Sequence, residues 1–305
     1  MNINGGGMKR TFFLFLIFLS MSPLLFGHAK ITLFTFGGLD ELLHENSQEG
    51  NLASLATLLE EERACAEDSL TILGGNILSP HVLAGLDKGN LLIDILNAMS
   101  VDITSVGPHD LDFGKDLLQQ RIKESHFSWI ASNLLSIDGT ALVENETKIY
   151  EIQGIKIGFF SLAKPLAKIG VKAPPDLYFA SPLYMARQKC KELKKADVDI
   201  IIAITQQPLA DDLRLLHEVP GIDLLLGRSD RDTISWFENK VFIHRMGDKD
   251  SLLTRIDLVI EKHKNHFHQK QLHIYPSFRY VEHKSKTRNA KILEKMEKYY
   301  ALDRS

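Results

Sequence analysis

The stretch from Ser105 to Gly114, SVGPHDLDFG, places His109 next to Asp110 and three residues before Asp112, with Gly107-Pro108 ahead of it and Gly114 behind. Glycine and proline at those positions mark a chain reversal, so the segment reads as a loop that presents an imidazole. A histidine presented in this way can act as general acid or base. The same residues also suit a loop histidine held by hydrogen bonds to Asp110 or Asp112. A second histidine group, HKNHFHQKQLH at 263–273, contains an H-x-H spacing that fits either a metal on a strand face or the alternating exposed side chains of an edge strand. It contains no acidic residue. His81, in PHVLAG, reads as loop surface. No G-x-x-x-x-G-K-[ST] or G-x-G-x-x-G occurs, so no phosphate-cradling nucleotide loop is expected. No G-x-S-x-G elbow supports a serine hydrolase.

Those residues must be positioned by an alternation of strands and helices. ITLFTF (31–36), LTILGG (70–75), DITSV (102–106), IKIGFFSL (155–162), DIIIAI (199–204), IDLLLG (222–227) and LLTRIDLVI (252–260) are short and apolar nearly throughout, as strands buried on both faces are. Between them, Leu92, Ile95, Leu96 and Met99 recur at i, i+3, i+4 and i+7, one face of a helix. GNLASLATLLEEERA, GKDLLQQRIKES and SPLYMARQKCKELKKA behave alike, the last with Ser181 as cap and Pro182 at the first helical position. The order predicts an α/β fold with a largely parallel or mixed sheet and helices outside, and chemistry on the loops beyond the carboxyl ends of the strands.

The 305 residues are 44% hydrophobic and 25% charged, with a net charge of −3. From Glu261 onward, eleven Lys and Arg face five Asp and Glu, so the tail carries +6 and the remainder −9. A basic tail can meet an acidic surface, and solvated helix and strand faces give the same count. Cys65 and Cys190 are too few for a disulfide framework, so the fold must rest on its core. Lys9 and Arg10 precede the apolar run TFFLFLIFLSMSPLLF, and Gly27 and Ala29 are small, the pattern of a secretory signal cut after Ala29, with Met8 as an alternative start. An uncleaved anchor is the rival, although about 16 residues including Pro23 fall short of the roughly 20 that span a bilayer. The chain is therefore expected to be exported, periplasmic or secreted, with no transmembrane helix in its mature part.

The stretches ITLFTFGGLDELL, GNLASLATLLEEE, GGNILSPHVLAG, LLIDILNAMSVDITSVGPHDLDFG, FSWIASNLL, IQGIKIGFFSLAKP, VDIIIAITQQPLADDLRLL and VPGIDLLLGRSDRD run in this order from about residue 31 to 260. Together they resemble the calcineurin-like metallophosphoesterase domain of the 5′-nucleotidase and UDP-sugar hydrolase family. The resemblance implies a four-layer α/β/β/α sandwich with mixed sheets over residues 30–285, after a signal peptide at 1–29. A C-terminal helix at 286–305 follows, with no second 5′-nucleotidase domain to supply base recognition.

It also implies two divalent metals, Mn, Zn or Mg, held by D-x-H, G-D, G-N-H, a strand-end H and G-H-x-H. Such a pair binds a phosphoryl oxygen, generates hydroxide and offsets transition-state charge. Carried across, the D-x-H loop falls on Gly38 and Asp40, the bridging aspartate on Asn76, the ligand asparagine on Pro108, the strand-end histidine on Gln206 and the G-H-x-H pair on Ser229 and Arg231. None of the seven is retained in kind. One carboxylate, two amides and a hydroxyl are a poor set for dications that want several hard, charged oxygens. His109 and Asp110 match the family's acid histidine and its acidic neighbour, and proton transfer alone contributes about 10²–10⁴ in rate. The resemblance places Arg228, Arg231, His244 and Arg245 around the former metal pocket, either as an anion-binding set for a phosphorylated or anionic small molecule or as solvent-facing replacements. The expectation is an exported family member that binds a ligand or an envelope protein without hydrolysing it and does not bind nucleic acid. The alternative is an active phosphoesterase or 5′-nucleotidase with a divergent metal set, and a purely structural envelope protein is a third reading.

Overall fold

The computed structural model describes residues 28–37, 39–42, 51–79, 84–138, 140–164, 175–229, 233–247, 253–264, 270–281 and 287–303. Two six-stranded sheets and one two-stranded sheet carry the strands. In the first half lie β1 (His28–Phe36), β2 (Asp68–Leu73), β3 (Ile103–Ser105) and β4 (Ser128–Ile130), which pair in parallel in that order. Two late strands, β13 (Leu253–Lys264) and β14 (Lys270–Val281), return antiparallel onto β1 and complete the first sheet. The second sheet pairs β7 (Ile155–Ala163), β9 (Ile200–Gln206), β10 (Leu224–Ser229) and β12 (Val241–Gly247) in parallel. Its edges are the antiparallel β6 (Thr147–Ile152) and β11 (Ile234–Glu238). β5 (Leu134–Ser136) and β8 (Leu177–Phe179) form the small sheet.

The two large sheets face each other across a dry core. Ile31, Leu33 and Ile72 of the first sheet pack with Phe159, Ile202, Ile204, Leu226 and Phe242 of the second. The opposite faces are covered by helices. α2 (Leu52–Ala64), α4 (Asn90–Ala98), α5 (Lys115–Glu124) and α8 (Ala290–Asp303) bury residues such as Leu55, Leu59, Leu96, Leu118 and Met296 with Phe34 and Trp129. α6 (Pro182–Lys195) and α7 (Leu209–Glu218) bury Ala186, Leu193 and Leu215 against Phe160, Ile201, Leu225 and Ile243. Helix, sheet, sheet, helix is the four-layer α/β/β/α sandwich. It explains why the strands read as continuous apolar runs: Ile200, Ile202 and Ile204 point into the dry core while Ile201 and Ala203 point at helices.

Local signals act as read from the sequence. Asn51 caps α2, its Oδ1 accepting from Ala53 N at 3.1 Å and Ser54 N at 3.2 Å. Ser181 Oγ accepts from Tyr184 N at 3.5 Å with Pro182 opening α6. Boundaries shift by one to four residues, and the largest shift is β13, which runs on to Lys264 because β14 pairs with it along its whole length. The cut expected after Ala29 falls inside β1, where Ala29 is buried and opposite Ile260. The short helices α1 (Leu39–Leu42) and α3 (Ala84–Asp87) complete the described elements, together with a 3-10 turn at Pro108–Leu111. Among the described residues no helix is long and apolar enough to cross a membrane.

Candidate functional site

The carboxyl ends of the parallel strands from both sheets meet at one place. Gly37, after β1, lies so close to the Gly247 carbonyl at the end of β12 that a Cβ there would overlap it. Gln206, the last residue of β9, donates from Nε2 to the Gly74 carbonyl after β2 and to Ser105 Oγ at 3.3 Å at the end of β3. Ser105 Oγ in turn donates to the Gly74 carbonyl at 2.8 Å. Arg228, on β10, donates from Nη1 to the Gly75 carbonyl at 3.2 Å. Asn76 sits in the left-handed region at φ 53°, which asparagine tolerates, and its Oδ1 accepts from His109 N at 3.0 Å. Gly75, at φ 85°, and Gly107 leave no room for side chains, because a Cβ on either would overlap the Gln206 amide. Two neutral amides, Asn76 and Gln206, thus occupy the space between the strand ends and tie the loops to one another.

The loop read as presenting His109 is built by its neighbour. Asp110 is fully buried, and its carboxylate accepts four backbone N–H groups: Ile77 at 2.6 Å and Leu78 at 2.8 Å on Oδ1, Asn76 at 2.9 Å and Gly107 at 2.7 Å on Oδ2. Burial pushes its pKa up to about 6 against the pull of those bonds. Pro108 is buried and opens the 3-10 turn. His109 stays about one-third exposed, with Nδ1 3.0 Å from Asp112 Oδ2. The histidine is therefore oriented by Asp112, while Asp110 faces inward and fastens the loop after β2 to the loop after β3.

His244 and Arg245 do not reach this meeting point. They are consecutive on β12 and so point to opposite faces. His244 is fully buried beside the dry core, its Nδ1 2.8 Å from Ser235 Oγ, and burial pushes its pKa down to about 3. Arg245 turns to the helix side, where it forms a buried ion pair with Asp212 of α7 and donates to the Gln207 carbonyl at 3.1 Å and to the Arg228 carbonyl. Asp212 is pushed up to about 6 by its own burial. The expected ring of cations is thus represented here by Arg228, whose guanidinium is half-buried. Arg231, Gly38, His81 and the H-x-H pair lie outside the described residues. Of Asp40 in α1 and Ser229 in β10 the backbone is described, with Ser229 opposite Gly247. Sequence reading missed Ser105, Gln207 and Asp212. Gln207 carried a weak signal, a polar residue just past the end of an apolar strand.

Among the described residues the donor set does not fit a pair of dications. Asp110 has both oxygens taken by backbone N–H groups, Asn76 Oδ1 is an acceptor for His109 N, Gln206 presents its amide nitrogen to Gly74, and Pro108 has no donor atom. Among the described residues no group of three or more His, Cys, Asp or Glu side chains is placed to hold a metal ion.

No family model matches the chain. It is 25% identical over 219 residues to the 2′,3′-cyclic-nucleotide 2′-phosphodiesterase/3′-nucleotidase of Haemophilus influenzae, covering 61% of this chain and 32% of that protein. It is 24% identical over 186 residues to a snake venom 5′-nucleotidase of Crotalus adamanteus, covering 58% of this chain and 31% of that protein. The chain thus spans about a third of the length of these curated relatives. In structure it is similar to the calcineurin-like phosphoesterase YfkN of Bacillus subtilis, with a TM-score of 0.76, 16% identity, and 90% of this chain and 97% of that one covered. The sandwich with its meeting strand ends is the fold of that calcineurin-like phosphoesterase. The sequence likeness, over 58–61% of this chain, is to proteins named as nucleotidases.

Proposed function

We propose that this domain binds an anionic, phosphate-bearing ligand or an envelope partner at the strand ends without hydrolysing it. The observation that carries this reading is the filling of the meeting point by the Asn76 and Gln206 amides. Asp110, the nearby buried carboxylate, is committed to four backbone N–H groups. Without a metal pair there is no hydroxide nucleophile near neutral pH, because unassisted water ionises near 15.7 rather than about 7. A lone imidazole contributes about 10²–10⁴, far from what phosphate-ester hydrolysis demands. Arg228 at the rim supports attraction for a phosphate or carboxylate. The apolar run at residues 11–26, after Lys9 and Arg10, supports export.

A second reading is an active phosphoesterase with a divergent metal set. It is favoured by the partly exposed His109 held by Asp112, and by the names of the relatives, which are enzymes. Hydrolysis of 5′-AMP, 2′,3′-cyclic AMP and a nitrophenyl phosphodiester in Mn²⁺ separates the two. The proposal expects no turnover above buffer. Turnover that His109→Ala abolishes while the fold is intact would overturn it. Thermal-shift titration with phosphate and nucleotides tests the ligand side, and no stabilisation at millimolar ligand would refute an anion site.

A further inference from the structure

At the end of the second sheet opposite to Gln206, where α6 finishes and β9 begins, a groove of about 410 Å³ opens between α6 and the turn that leads from α7 to β10. Its rim is cationic: Arg187, Lys191, Lys194 and Lys195 follow one another at i, i+4, i+7 and i+8 on one face of α6. Its floor is apolar, formed by Val219, Pro220 and the buried Cys190, whose thiol is held neutral by burial. Like charges at this spacing repel along a helix, so a row of four calls for counter-charge.

The nearby carboxylates provide it for only part of the row, Glu218 at Arg187 and Asp223 near Lys194. Glu218 is shared between Arg187 at 2.9 Å and Arg214 at 2.7 Å. Asp223 is turned toward the backbone, accepting from Ile201 N at 2.8 Å. Lys194 reaches over the turn toward the Pro220 carbonyl at 3.4 Å. Lys191 and Lys195 have neither a hydrogen bond nor an ion pair among the described residues. Glu192, which could have neutralised this face, instead pairs at 2.9 Å with Lys189 on the other side of the helix.

We propose that this groove is a second binding site, distinct from the strand ends, for a phosphate-bearing molecule with an apolar part. The lysines and Arg187 take the phosphate, and Val219 and Pro220 take the apolar part. The same chemistry is offered by a soluble phosphate ester and by the headgroup region of an anionic phospholipid. Both sources are therefore tested, on the full chain at low ionic strength. AMP is titrated by calorimetry, and vesicles of phosphatidylcholine with and without phosphatidylglycerol are used in co-sedimentation. The variants are Lys191→Glu with Lys195→Glu, and Arg228→Ala, which disables the site at the strand ends.

At least one probe is expected to bind Arg228→Ala, and to bind Arg228→Ala that also carries the two lysine changes about tenfold or more weakly, with thermal melting unchanged by those two changes. AMP binding alone would assign a soluble ester, and binding confined to phosphatidylglycerol vesicles would assign the headgroup. Absence of binding by both probes overturns the proposal. So does full binding when the two lysine changes are made in the Arg228→Ala background, or binding abolished by Arg228→Ala alone.

Discussion

Replacing Asp110 by alanine tests whether this residue is a piece of architecture or part of a reacting pair. In the native protein its carboxylate is the acceptor for the N–H groups of Asn76, Ile77, Leu78 and Gly107. Removing it leaves four donors without partners, three of them buried, each costing about 1–3 kcal/mol. Part of that loss is recovered, because a pKa raised from 3.8 to about 6 means that the buried charge itself costs about 3 kcal/mol at neutral pH. The net loss is then about 5 kcal/mol, a large share of the roughly 5–15 kcal/mol of a typical domain. The adjacent substitution His109→Ala removes a partly exposed contact to Asp112 and should cost no more than about 1 kcal/mol. Urea unfolding followed by circular dichroism at pH 7 measures both. A loss below 1 kcal/mol for Asp110→Ala, or equal losses for the two variants, would refute the assignment of Asp110 as the clamp of the two loops.

Three further outcomes are expected. Arg245→Met strands Asp212 in the helix-side core and should cost about 3–5 kcal/mol, while Arg245→Met combined with Asp212→Leu should recover most of it, as read by chemical denaturation. Gly75→Ala combines a left-handed φ of 85° with overlap onto the Ser105 carbonyl and the Gln206 amide. A loss of about 2–5 kcal/mol is expected from melting curves. His244 is neutral in the fold with a pKa near 3 and an unfolded value of 6.5, so the unfolded state binds the extra proton and stability falls as pH drops below 6.5. Between pH 6.5 and 4.5 this amounts to about 2.3 kcal/mol, and His244→Gln should lack that component of the acid limb. Asp110 and Asp212, raised to about 6, act in the opposite sense over pH 6 to 4, so the comparison of the two proteins, not either curve alone, isolates His244.

The strands that build the sandwich were legible where both faces are buried. Ile200 to Ile204 could be read directly, since each side chain meets either the dry core or a helix. β4 and β5, three residues each, carry too little pattern to stand out. β11 and β12 were missed although Asn239 and Lys240, both at positive φ, make the tight turn of a hairpin. That omission had a consequence. Once Val241 to Gly247 is a strand, period two separates His244 from Arg245, and the grouping of both around one pocket dissolves. At the site, His109 was visible from its glycine and proline neighbours, and the contact with Asp112 was one of two partners considered. The role of Asp110 was not visible, because its four donors come from two loops 29 or more residues apart in sequence for three of them. Gln206 and Asn76 were singled out only by resemblance, and nothing in a lone glutamine announces that its amide bridges two sheets.

The central claim is that neutral amides stand where the sequence resemblance places metal ligands, and calorimetric titration of the purified, chelator-treated protein with Mn²⁺ and Zn²⁺ at neutral pH addresses it most directly. The account predicts no saturable binding at micromolar ion. Two equivalents bound at micromolar affinity, with the heat of binding lost in Asn76→Ala or Gln206→Ala, would contradict it.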